Sequence, residues 1–131
     1  MMHYLECIAM LEYLLKKLQK GQRTQVPVST MDDVQSVMVQ LNRKLQNEND
    51  PQITVKIRDV MEALEEVKTL KGALVLTDTM KNALVSGVDE LLQVIQLKAF
   101  EHFKYNDFEP TDEVVRIMRG VVKTALDNGL I

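Results

Sequence analysis

Apolar residues recur at three- and four-residue intervals in five stretches of this chain, and polar turn chemistry separates them, so the pattern predicts five helices. The first, between Met2 and Gly21, sets Tyr4, Leu5, Ile8, Leu11, Leu15 and Leu18 on one side and ends where Lys16, Lys17, Lys20 and Gly21 supply a basic last turn and a glycine stop. Met10 and Leu14 fall on the opposite face, which predicts a helix covered on more than one side, by the fold or by a partner. The segment Gly21–Val28 reads as an extended loop, with Pro27 turning the preceding residues away from helix.

A second helix follows with Ser29 or Thr30 as cap, Asp32 and Asp33 in the first turn and a stripe of Val34, Val37, Met38, Leu41 and Leu45, closing at the turn sequence NENDP. The third is ambiguous at its start, because Ile53, Val55 and Ile57 alternate like a strand. With Thr54 as cap, Ile57, Val60, Met61, Leu64 and Val67 continue one helical face to Gly72, and a lone strand has no partner in view.

After ALVL, Thr77 or Asp78 opens the longest segment, whose stripe is Met80, Leu84, Val88, Leu91, Leu92, Ile95, Ala99 and Phe103. Gly87 inside it predicts either a close helix crossing or a break into two helices. Val94, Leu97 and Phe100 point away from that stripe, so this helix too is apolar nearly all round. The last helix is capped by Thr111, carries Asp112 and Glu113 in its first turn, runs through Val114, Val115, Ile117, Met118, Val121, Val122, Ala125 and Leu126, and closes at Gly129.

These elements predict an all-α fold, a bundle or an orthogonal array of about five helices, in a single domain spanning 1–131. At this length a chain buries enough surface to dispense with disulfide or metal staples. We expect helix one to pack on the segment 88–104, with Phe100 and Phe103 against Leu11, Leu14 or Leu15, and Phe108 to seal that helix's end.

Charge and composition mostly narrow the function. A net charge of −3 gives no general attraction to nucleic acid or anionic lipid. Cys7 is alone and no run approaches membrane-spanning length, so the expectation is an intracellular location, cytoplasmic or nuclear, and no membrane association. His3, Cys7 and His102 are the whole stock of imidazole and thiol, and the five glycines are too scattered for a phosphate loop. No catalytic residues, metal site, cofactor or small-molecule substrate are therefore expected.

The stretch EALEEVKTL followed by VLTDTMKNALVSGVDELL faintly resembles the helical N-terminal domains of transcription elongation factors, which implies a module that docks short peptide motifs. The Ile-Gly pair and closing Trp-Lys of that family are absent, and no membership follows.

The expected function is a non-enzymatic helical protein–protein interaction domain, an adaptor, regulatory or self-associating protein that presents an apolar face or groove. Met10, Leu14, Val94, Leu97 and Phe100 are the candidate partner-facing positions. The alternative is a nucleic-acid-binding regulatory protein that uses the basic cluster Lys16, Lys17, Lys20 and Arg23.

Overall fold

Side-chain caps set where several helices of this chain begin. Thr111 Oγ1 accepts from the Val114 N–H at 3.2 Å, and Thr77 Oγ1 accepts from the Met80 N–H at 3.1 Å, each satisfying a donor that the first helical turn leaves unpaired. The computed structural model describes residues 2–20, 25–70, 73–103 and 111–131. Its helices are α1 (Met2–Gln19), α2 (Val28–Lys44), α3 (Pro51–Glu65), α4 (Asp78–Phe103) and α5 (Asp112–Asp127), with a 3-10 turn at Gln46–Glu48. The all-α class read from periodicity is the class observed.

Two predicted starts are corrected. Helix α3 begins at Pro51, capped by Asp50, whose side chain accepts from the Gln52 N–H at 2.9 Å. Proline at the first helical position lacks the N–H that would go unpaired there, so Asp50-Pro51 outcompetes Thr54, which lies inside the helix and donates its hydroxyl to the Asp50 carbonyl. Helix α2 begins at Val28, so Ser29 and Thr30 sit within its first turn instead of capping it.

The third helix also stops earlier than expected, at Glu65 instead of Gly72. Three short strands, β1 (Gln25–Pro27), β2 (Lys68–Leu70) and β3 (Ala73–Val75), form an antiparallel sheet in the order β1-β3-β2. Residue Leu74 pairs with Val26 on one side and Thr69 on the other. The predicted loop 21–28 thus contributes a strand, and the hairpin it completes ties the start of α2 to the start of α4.

Helix α4 is the centre. It packs against α1, α3 and α5, while α2 packs on α1 and α3. Its Leu84, Val88, Leu91, Ile95 and Ala99 are fully buried in one core that draws on all five helices. Gly87 marks a crossing and no break, since α4 is continuous and a Cβ at Gly87 would lie 3.0 Å from Val60 Cγ2 of α3.

The expected packing of α1 on α4 is observed, and the helices run antiparallel, with the Tyr4 and His102 rings 5.8 Å apart at one end. Tyr4 donates to Glu48 Oε2 at 2.8 Å, and burial together with that carboxylate raises its pKa far above the ordinary phenol value. Phe100 packs against the core. The Phe103 side chain and Phe108 lie outside the described residues, so their expected roles are not placed.

Candidate functional site

A surface that docks a partner must keep apolar area after the fold has taken its share. Helices α1 and α4 have little to spare, because each has three helical neighbours. Leu14 is 0% exposed and is a core residue, which corrects its assignment to a partner-facing surface. Met10, Val94 and Phe100 are half-buried and packed against the core. Val94 and Leu97 do come together, beside Gln52, Lys98 and Glu101, in a shallow depression of 160 Å³ that Met10 and Leu14 do not line. The two-sided apolar pattern of α1 and α4 thus reflects central positions in the fold.

The basic cluster is split. Lys17 binds Asp33 of α2 at 2.9 Å and lies 4.8 Å from the centre of the Tyr13 ring, which holds its charge against the body of the protein. Lys16 and Lys20 are exposed, and Arg23 lies outside the described residues. Cys7 is buried and its thiol is pushed up to about 11, chiefly by desolvation, so it remains protonated at neutral pH. Among the described residues no three His, Cys, Asp or Glu side chains are grouped to hold a metal ion.

Among the described residues Tyr13, Val39 and Val55 are exposed on α1, α2 and α3, and on α5 three exposed apolar side chains fall in a row. Ile117, Val121 and Ala125 form its buried face, while Val115 (38% exposed), Val122 (37%) and Leu126 (55%) form a second stripe that faces solvent. At about 100° per residue the two stripes lie roughly 120° apart around the helix. Their signal was in the sequence as adjacent apolar pairs, Val114-Val115, Ile117-Met118, Val121-Val122 and Ala125-Leu126. Such doublets at helical spacing widen the apolar arc beyond what one neighbouring helix covers.

No family model, curated protein or solved structure matches this chain significantly.

What orients the outward stripe is a polar seam on the other side of α5. The Thr124 hydroxyl donates to Oε1 of buried Gln96 on α4 at 2.6 Å. Arg116 pairs with Glu113 at 2.8 Å and reaches Glu12 of α1 at 3.3 Å, and its guanidinium lowers the pKa of the Glu113 carboxyl. Between them Gly120 lets the helices approach closely, since a Cβ there would stand 3.2 Å from Gln96 Nε2. These directional contacts fix the rotation of α5 about its axis. The rotation in turn decides that Val115, Val122 and Leu126 point outward.

The C-terminus of α5 is equally defined. Gly129, at φ 74°, takes the left-handed conformation, and the N–H groups of Gly129 and Leu130 donate to the carbonyls of Leu126 and Ala125, closing the helix as its sequence predicted.

A recess of 320 Å³ lies between α2 and α3, lined by Met38, Val39, Ile57 and Met61 together with the polar Asn42, Thr54 and Arg58.

Proposed function

We propose that this protein is a non-enzymatic helical interaction domain, and that it docks a helix of a protein partner on the outward face of α5. The observation that carries the reading is the exposed stripe Val115–Val122–Leu126 on a helix whose other face is already anchored in the core. Covering what remains exposed on these side chains contributes on the order of 1 kcal/mol each, enough to make a three-turn stripe useful when combined with edge contacts. The role is that of an adaptor or regulator, in which affinity comes from apolar burial on a preformed helix. The rigid polar seam to α1 and α4 keeps the ordering cost of binding low.

The test is to pan a library of helical peptides against the immobilised protein and re-measure each enriched peptide on Val122→Asp and Leu126→Asp variants. Enriched amphipathic peptides that lose affinity for both variants support the reading. Enrichment indifferent to both substitutions, or no enrichment at all, removes α5 as the docking face.

A further inference from the structure

The outward stripe of α5 has one charged edge. Arg119 and Lys123 lie along its middle, on the same side of Val115, Val122 and Leu126, with the exposed carboxylates Asp112 and Asp127 towards its two ends, whereas Met118 on the other side packs against the core. Neither cation is strongly engaged. Lys123 approaches Asp127 only to 3.9 Å with both side chains largely in solvent, and Arg119 makes no ion pair with a described residue. By contrast the next cation round the helix, Arg116, is held by two carboxylates.

This edge discriminates between occupants. If two copies of the chain paired antiparallel with full overlap of the stripe, Val115 of one beside Leu126 of the other, Arg119 of one copy would stand opposite Lys123 of the other. A parallel pairing would set the cations against the apolar Met118 edge. Neither arrangement brings a carboxylate to them, and like charges across an interface oppose association.

Resting on the reading of α5 as a docking face, we infer that its occupant is an amphipathic helix of a different protein whose apolar stripe is edged by Asp or Glu. The stripe spans roughly 17 Å at ~1.5 Å rise per residue, so the occupant presents about three turns. The net charge of −3 on the whole chain does not oppose this at physiological salt, because charges beyond about 8 Å are screened while the edge pairs are in contact.

The experiment uses three synthetic helical peptides of about four turns with one common Leu/Val stripe, edged by Glu, by Gln or by Lys. Binding to the full chain is followed by fluorescence anisotropy at about 0.01 M and about 1 M salt, where the Debye length is roughly 30 and 3 Å. The Glu-edged peptide is expected to bind at least about tenfold more tightly than the Lys-edged one at low salt. That preference should shrink at high salt and reverse in the double variant Arg119→Glu with Lys123→Glu. A milder pair, Arg119→Gln with Lys123→Gln, should give an intermediate preference, and circular dichroism checks that both variants keep the wild-type helix content.

Equal binding of all three peptides, weakened by Val122→Asp, would overturn the acidic-edge inference and leave α5 as a docking face. Tighter binding of the Lys-edged peptide would do the same. Failure of all three to bind a chain that stays monomeric would overturn both readings, whereas dimerisation of the free chain abolished by Val122→Asp without peptide binding would make a second copy the occupant, overturning the acidic-edge inference and leaving α5 as the docking face.

Discussion

A Cβ built on Gly87 of α4 would stand 3.0 Å from Cγ2 of Val60 on α3, closer than carbon atoms pack without displacement. Val60 is almost fully buried and β-branched, so it has little freedom to move away. Gly87→Ala gains about 1 kcal/mol of helix propensity, but overpacking of this kind costs about 1–3 kcal/mol. We expect net destabilisation by urea titration, and a Val60→Ala background in which Gly87→Ala becomes stabilising. A stabilising single Gly87→Ala would show that the crossing is looser than its geometry states.

The Thr124 hydroxyl bonded to buried Gln96 gives a test of how α5 is held. Thr124→Val leaves the Gln96 amide oxygen without that donor and should cost about 1–3 kcal/mol. The double variant Thr124→Val with Gln96→Leu removes both polar groups and should recover most of the loss. Thermal melts of the four proteins complete the cycle, and strict additivity would mean the two side chains do not act together.

Asp50 should make stability depend on acid. The Lys98 ammonium, 2.7 Å away, is the main cause of its lowered pKa, and the Gln52 and Ile53 N–H groups add to it. A carboxyl depressed in the folded state contributes stability that is fully present above its unfolded value of about 3.9 and is lost as pH falls through the lower folded value. Asp50→Asn should therefore destabilise at neutral pH. The difference from wild type should begin to shrink as pH falls below about 4. A difference unchanged between neutral pH and pH near 2 would remove the ionised carboxylate as its cause.

The two faces of α5 should respond differently to truncation. Ile117, 2% exposed, should cost about 2–5 kcal/mol on change to Ala, whereas Leu126→Ala should stay within about 0.5 kcal/mol, since it removes mostly solvent-facing surface. Chemical denaturation of both variants checks this. A Leu126→Ala loss as large as that of Ile117→Ala would place Leu126 in the core.

Cys7 should resist a soluble thiol reagent at neutral pH, because it is fully buried and its thiol is held protonated. Labelling should appear only as denaturant unfolds the chain. Rapid labelling of the native protein would show that α1 opens locally.

Legibility differed from element to element. The start of α5 at Thr111, its close at Gly129 and the buried stripe Leu84–Val88–Leu91–Ile95 of α4 were readable because capping and periodicity are local properties. The end of α3 and the strands at 25–27, 68–70 and 73–75 were not, because three-residue strands carry almost no pattern of their own, and the strand at 25–27 exists only through pairing with 73–75 across some fifty residues. Leu14 was assigned to a partner-facing surface for a related reason. Extra apolar faces were recognised on α1 and α4 from periodicity, which does not say which neighbouring helix covers them.

By itself, then, the chain's pattern determined five amphipathic helices and most of their core faces. Only the tertiary structure decided which apolar side stays open. An apolar face records a need for burial, while the neighbour that meets it is set by how the helices cross. Here α4 takes the centre, Leu14 goes inside with it, and the polar seam at Gln96 and Thr124 turns Val115, Val122 and Leu126 outward.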